Sequence, residues 1–518
     1  MKQLLMRYGQ MGLSVLLGVG VFLFWAVGYP HALSYQEQYQ LFLWTSDYFF
    51  ERISVPGGLA DWLGEFIVQF YYITWLGALL VALLFVALQR LTLRLLSPLR
   101  LPSAVSTLFS LIPVALIWWL MGDVNVLLSL PVAVMMALAL ADVVGKVGKV
   151  GLVGKVGKVG KVGKVGLLGL VGELGIIPLI YWLLGPAVWI YVLVRVVQVG
   201  WRHLWAAGWL VAVQVAVYVW LMPQWPLQQV MVTSTYYRTP MQYPQWTGYD
   251  KDMYELIRLD YLVRNERWDE VIKRGEQHEV RTAFWSNCVN LALSQKRMLA
   301  ERQFDFYQSG DDALLMPRLR DQTSDLPTAE AFYRLGLVNS AQRYMFDIQE
   351  SILNGKKSGR CTKRIVECML INGHDLTAKK YIALLKKSLF YRDFANEAER
   401  CLNNDALVDK YFGRQRQLRF KNDFLFNYDE KEKILGLLFI NNQDNKMALD
   451  YFIGELLLRG DIQGLMQYMP WAEQHGGYQR MPMGYQDAVR TIQSRGQAAG
   501  TKYGEYVKRM MRQEGGAE

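Results

Sequence analysis

The sequence predicts an all-α protein in two parts, a polytopic helical membrane domain followed by an irregular array of paired helices. Three observations lead there. Charge is unevenly divided: residues 1–222 hold eight Asp or Glu and fourteen Lys or Arg, whereas residues 223–518 hold thirty-eight and forty-two. The acid-poor part contains repeated apolar runs near the ~20 residues that cross a hydrocarbon layer. The charged part shows apolar residues at helical spacing and almost no strand alternation. A chain of 518 residues exceeds one ordinary core, in keeping with this division.

Six spans are expected, at 11–28, 66–88, 103–121, 126–141, 176–194 and 204–222. Lys2 and Arg7 precede the uncharged run Met11 to Val27, the outline of a signal peptide. No cleavage site of small residues follows before Tyr29-Pro30-His31, so the run reads as a retained span. Residues 30–65 are too polar to span. Tyr39, Phe42, Leu43, Phe49 and Phe50 suggest an amphipathic helix resting at the interface. Only Gly122 to Asn125 separate the third and fourth runs, which therefore form a hairpin. Leu204 to Met222 is the last run and stops at Pro223 and Pro226.

Basic residues orient such spans, because Lys and Arg concentrate on the cytoplasmic side. Lys2, Arg7, Arg90, Arg94, Arg100 and the lysines after residue 144 fall inside. The acid-rich loop 30–65 and Asp123 fall outside. Six spans put the C-terminal half in the cytoplasm but strand Arg195 and Arg202 outside. A further crossing between Leu167 and Val194, broken at Pro178, Gly185 and Pro186, would bring that pair inside and send the C-terminal half out. The chain reads as an integral protein of a bacterial inner membrane.

Residues 144–173 repeat Val-Gly-Lys again and again, with Leu152 and Leu167 replacing Lys. Glycine every third residue lacks the proline of a collagen helix, and each glycine costs an α-helix about 1 kcal/mol relative to Ala. A flexible cytoplasmic linker is expected. Its six lysines would be drawn to anionic membrane lipid, unless the repeat is an expansion without a task. Glu173 lies in an apolar stretch, where an acid is either functional or an interfacial cap. No other span carries a central acid or His, which argues against ion-coupled transport.

Residues 223–250 form an aromatic and Pro-rich connector, broken as a helix by its prolines. Helical pairs then recur over residues 251–496, and residues 497–518 form a tail. Gly336 precedes Ala341 by five and Gly373 precedes Ala378 by five; the two units lie 37 residues apart, and Ala448 follows 70 residues later. Ala329, Phe332, Ala341 and Met345 match Val366, Met369, Ala378 and Ile382, then Gly436, Phe439, Ala448 and Phe452. This pattern resembles tetratricopeptide-like repeats, in which a glycine opens the turn and a small residue admits the second helix. The early Trp and closing Pro of that family are missing. Gln443 stands where a glycine would be, and Glu266 and Val271 occupy the key places of the first pair. The expected fold is therefore an irregular tetratricopeptide-like α-solenoid. The resemblance implies a protein partner at this helical domain. The whole plan, with Tyr236-Tyr237-Arg238, Ile371-Asn372-Gly373-His374 and Asn445 to Phe452, resembles an uncharacterised group of multi-pass membrane proteins from Bacteroides-type bacteria. That likeness brings no activity.

Two sets of candidate site residues follow. Lys356, Lys357, Arg360, Lys363, Arg364, Lys379, Lys380, Lys386 and Lys387 would make a basic face for an anionic partner. No aromatic-basic ladder accompanies them, which argues against nucleic acid. The second set is Glu37, Asp47 and Glu51. Integral-membrane glycosyltransferases carry a first external loop with a juxtamembrane helix and acids, and this chain is similar in outline. These acids would then be catalytic, as a base or as metal ligands.

No phosphate-cradling, zinc-protease or serine-hydrolase motif occurs. The five histidines are scattered, and Cys288, Cys361, Cys368 and Cys401 make no CxxC pair, so neither a metal nor a cofactor is expected. The leading expectation is a membrane-anchored scaffold. The alternative is a glycosyltransferase-like enzyme.

Overall fold

The computed structural model describes residues 2–99, 101–153, 162–221, 236–238, 248–319, 321–352, 356–421, 430–494 and 500–514. Arg100, the middle of the lysine repeat, most of the 223–250 connector and parts of the 497–518 tail lie outside the described residues. Among those described the chain is all-helical, with no strand and one isolated β-bridge between Val126 and Tyr237. It forms two units: Met1–Asp250 with Lys387–Phe390, and the rest of 251–518.

The first unit contains α1 (Lys2–Leu23), extended by a π-helical turn to Gly28, α2 (Pro30–Glu37), α3 (Ser46–Ile53), α4 (Gly58–Val68) and α5 (Thr74–Leu96). Then come α6 (Ser103–Leu120), α7 (Ser129–Val153), α8 (Val162–Leu184), α9 (Val188–Val199) and α10 (Trp205–Leu221). Among the described residues five stretches are long and apolar enough to cross a membrane: Tyr8–Gly28, Thr74–Leu99, Ser103–Leu120, Ser129–Lys146 and Gly172–Val199. Helix α10 is apolar but shorter. Buried hydrogen bonds tie α1, α5 and α6 together. The Ser14 hydroxyl donates to Gln89 (2.8 Å), whose amide nitrogen donates to Ser110 (2.8 Å). In apolar surroundings such bonds contribute about 0.6–2 kcal/mol each.

The helices depart from the sequence reading in four places. The second long apolar helix begins at Thr74, not at 66. Residues 66–68 end α4, a 3₁₀ turn covers Gln69–Tyr72, and Ile73 is extended (φ −105°, ψ 95°). Hydropathy does not register this break, because the turn is itself aromatic. The expected interfacial helix is also absent as one piece. Tyr39 and Phe42 lie in the core, and the Phe42 ring meets those of Trp44, Tyr48, Trp62 and Phe66. Of the proposed lipid-facing aromatics, Phe50 is the one that is well exposed.

The described parts of the repeat are helical rather than a flexible linker, since α7 runs on to Val153 and α8 starts at Val162. A helix already nucleated in an apolar span extends more readily than a new one starts. No proline stops it, and Lys146 pairs with Asp142 one turn back (2.5 Å). Finally, Gly172–Val199 is not one straight rod. A 3₁₀ turn at Gly185–Ala187 reverses the chain, so α8 and α9 form a hairpin.

The second unit contains α11 (Lys251–Arg264), α12 (Trp268–Gln277), α13 (Ala283–Gln295), α14 (Leu299–Arg302), α15 (Leu326–Leu335), α16 (Val338–Glu350), α17 (Gly359–Asn372) and α18 (Asp375–Leu385). It continues with α19 (Arg392–Cys401), α20 (Asp405–Leu418), α21 (Lys431–Asn441), α22 (Lys446–Arg459), α23 (Ile462–His475), α24 (Met483–Gln493) and α25 (Lys502–Glu514). Among the described residues one turn recurs five times. A left-handed residue ends a helix, and the next N–H donates to the carbonyl five residues before it. The left-handed residues are Glu266, Arg297, Gly336, Gly373 and Gly460, and the bonds include Leu337 to Phe332 (3.0 Å) and His374 to Met369 (2.8 Å). This geometry satisfies carbonyls that a helix end would leave bare. The small and large positions of the repeat pattern, from Ala329 to Phe452, are all buried.

An open solenoid would contact only neighbouring repeats. Here α22 packs back on α13 and α14, and α24 packs on α14. Arg297 reaches the buried Asp450 (2.6 Å) and the Gly476 carbonyl (3.1 Å). The four cysteines are buried and free.

Candidate functional site

The first unit sorts its polar residues to two ends. At one end, Arg94 and Lys146 meet Asp142. Gly145 closely approaches the Gln198 side chain, and Arg195 donates to Gln198 (2.9 Å) and to Glu173 (2.8 and 3.1 Å). His203 adjoins the same Glu173 carboxylate at 3.1 Å. Glu173 is thus a paired acid beside the base of the hairpin.

The other end gathers α2 to α4, the loop after α6, the hairpin apex and residues 236–238. Gln36 donates to the Val126 carbonyl (3.1 Å), Trp182 donates to Ile53 (3.0 Å), and the Gly57 N–H donates to Trp182 (2.8 Å). Tyr236 closes the apex: its hydroxyl donates to the Leu184 carbonyl and accepts from the Ala187 N–H (2.8 Å). Tyr237 donates to Asp123 (3.0 Å). Gly248, with φ +70°, lies against Trp119, and the Tyr249 ring meets Tyr29.

Arg238 is the unusual residue of this end. Its N–H is fixed on the Asn125 carbonyl (2.8 Å), and its guanidinium lies over Tyr35 (4.7 Å) and Tyr39 (4.5 Å). The side chain is 6% exposed, yet none of its three nitrogens has a hydrogen-bond partner among the described residues. The motif Tyr236-Tyr237-Arg238 by itself gives Arg238 no task. The available signal was that residues 222–249 contain this one base and no acid.

The predicted acids do not converge. Glu37 is buried in α2, whereas Asp47 and Glu51 stand exposed on α3. The buried acid of this region is Glu65, which accepts from the Tyr48 hydroxyl and pairs with Arg52 (3.3 Å). Burial, with Glu65 adjacent, pushes the Tyr48 hydroxyl well above its usual range and keeps it a donor.

The predicted basic residues do not share a face either. Arg360 is buried and grips Asp260 with two bonds (2.6 and 3.0 Å). Arg364 binds Glu330 (2.8 Å) and Glu367 (2.5 Å) and lies over the Tyr333 ring. Lys356 is buried, Lys363 lies over Phe394, and Lys386 pairs with Glu399. Lys357, Lys379 and Lys380 remain exposed. Lys387 belongs to the first unit, where its carbonyl accepts the Trp44 N–H (2.8 Å). Burial works against ionising Glu330, but Arg364, Arg360 and Arg334 overcome it and hold the carboxyl down at about 2.

Among the described residues no group of three or more His, Cys, Asp or Glu is placed to hold a metal ion. No curated protein and no solved structure shows significant similarity to the chain. One family profile does, over residues 6–514, and its extent covers the bundle, the Tyr236-Tyr237-Arg238 clamp and the helical unit together. The chain therefore belongs to the family of unknown function DUF6057.

Proposed function

We propose that the chain is a membrane-anchored scaffold. Its apolar unit sits in the inner membrane of a bacterium, and its helical unit stands on the outer side and binds a protein partner. The observation carrying the outward placement is the Glu173–Arg195 pair at 2.8 Å. It returns α9 to the lysine-repeat end, so α10 makes the last crossing outward. Apart from Arg52, the Lys and Arg of residues 1–222 then fall on one side, together with Arg195 and Arg202. The acids of the first loop and Asp123 fall on the other. Tyr236 to Arg238 and Tyr249 adjoin that acidic end, and the chain continues from there into the helical unit. The cytoplasmic placement, which followed from six straight spans, loses its support.

For the partner, the favoured surface is the outer face of α18, where Leu376 is 87% exposed and Lys379 and Lys380 follow on the same side. This composition suits an acidic protein segment. The glycosyltransferase alternative draws less support, because Glu37, Asp47 and Glu51 do not meet. Alkaline phosphatase and green fluorescent protein fused after Asp250 and after Glu518 test the orientation. Phosphatase activity at both points is expected, and fluorescence would refute the outward placement. A photo-crosslinker at Leu376 should capture a discrete partner, released by Lys379→Glu with Lys380→Glu. No discrete adduct would sink the partner clause.

A further inference from the structure

We propose that the guanidinium of Arg238 binds an oxyanion, a phosphate carried either by a lipid headgroup or free in solution. Among the described residues the Arg238 guanidinium makes no ion pair and no side-chain hydrogen bond. Arg238 is over nine-tenths buried, and its Nε and both Nη atoms have no hydrogen-bond acceptor among the described residues. Removing such a cation from water is costly unless something returns the lost hydrogen bonds. Tyr35 and Tyr39 attract the cation through their ring faces, but a ring face does not replace an oxygen acceptor for the N–H groups.

No carboxylate lies nearby in sequence to balance the charge. Residues 222–249 contain no Asp or Glu. Asp123, on the facing loop, is engaged by the Tyr237 hydroxyl and the Asn125 N–H (2.9 Å). Two further buried amides, each next in sequence to one of the tyrosines, stand incomplete: Gln36 leaves Oε1 without a partner and Gln40 leaves Nε2 without one.

The position is also built, not incidental. Tyr236 is anchored on the hairpin apex, Tyr237 on Asp123 and Val126, and the Arg238 backbone on Asn125. Three consecutive residues thus hold one guanidinium in a fixed place. A planar fork held this way suits a ligand with two adjacent acceptor oxygens. Phosphate is favoured because the site lies at the bundle end where Tyr29, Trp119 and Tyr249 gather, a composition typical of the headgroup level. That last step alone rests on the membrane reading; the unpaired cation does not.

The test uses the full chain, purified and delipidated in a neutral detergent. Thermal unfolding is followed against inorganic phosphate, with sodium chloride at matched ionic strength as control. A parallel series adds phosphatidylglycerol or phosphatidylcholine, with native mass spectrometry counting bound lipid. A saturable rise in melting temperature is expected in wild type and should be lost in Arg238→Gln. A rise with phosphate assigns a free anion, and a rise with phosphatidylglycerol alone assigns a headgroup. If neither ligand shifts wild type, or the shift persists in Arg238→Gln, the proposal is overturned. Should Arg238→Gln not fold, Arg238→Lys keeps the charge without the two-point fork and should weaken apparent affinity by about tenfold or more. Unchanged affinity would overturn it equally.

Discussion

The Glu173 carboxylate and the Arg195 guanidinium lie 2.8 Å apart, although 22 residues separate them. In one straight helix that separation would be about 33 Å. The pair therefore fastens the base of the α8–α9 hairpin, and Tyr236 fastens its apex. Arg195→Gln should lower the melting temperature of the purified chain strongly, since leaving a buried partner uncompensated costs about 3–5 kcal/mol. Glu173→Gln with Arg195→Gln should recover much of the loss. Simple addition of the two single losses in thermal scans would show that the groups do not act as a pair.

Glu330 makes a prediction about acid. Its carboxyl is held down at about 2, so the folded state binds fewer protons than the unfolded one over the interval below the ordinary value of 4.5. Its contribution is complete above about pH 4.5 and is lost as pH falls toward about 2. Glu330→Gln should destabilise at pH 7 by about 3–5 kcal/mol, because Arg364 and Arg360 lose a buried counter-charge. It should also flatten the stability profile in that acid window. Denaturant melts at stepped pH measure both effects, and an unchanged acid slope would refute the account.

Glu455 predicts the opposite slope. It is buried beside Lys431 (3.2 Å) and Arg459 (3.1 Å), yet burial dominates and pushes its carboxyl up to about 7. The folded state then holds a proton that the unfolded chain has released, so stability falls as pH rises from about 4.5 to about 7. Asp450 is raised by burial to about 6 and adds to the same trend. Glu455→Gln should remove part of that decline. A profile identical to wild type between pH 5 and pH 7 would count against it.

Two glycines that look alike in sequence should differ in tolerance. Gly336 and Gly373 both adopt φ near +80° (90° and 73°), where an L side chain costs about 1 kcal/mol or more. At Gly336 an added Cβ would also lie 2.2 Å from the Leu418 carbonyl oxygen, whereas at Gly373 nothing lies within 4 Å. Gly336→Ala should therefore lower stability by clearly more than Gly373→Ala, which should lose about 1 kcal/mol. Equal losses in urea melts would mean that the α20 end retreats without penalty.

Why some of this was legible and some was not follows from the same residues. Gly336 and Gly373 announced their turns because glycine is the usual occupant of left-handed backbone. Glu266 and Arg297 adopt the same conformation and hide it (φ 55° and 59°). The closure of the unit was invisible because its partners, Arg297 and Asp450, lie 153 residues apart. The basic run misled for a similar reason: the acids that turn Arg360 and Arg364 inward, Asp260 and Glu330, come from earlier helices. In the bundle, Pro178 was as plausible a break as Gly185-Pro186, yet α8 passes through Pro178 and turns only at Gly185. Apolar helices tolerate proline where neighbours satisfy the freed carbonyl. For Arg238 the sequence held the absence of acids but not the burial that gives the absence meaning.

The return of α22 and α24 onto α13 and α14 sets an order on the making of this protein. Ribosomes deliver the chain from its N-terminus, so α13 and α14 emerge well before the helices that cover them. Arg297 must wait for Asp450, 2% exposed in the finished unit, which is synthesised 153 residues later. Until then Arg297 and the flank of α13 stay open. The early hairpins can form their own turns during synthesis, but the unit as a whole is sealed only after its last third has been made.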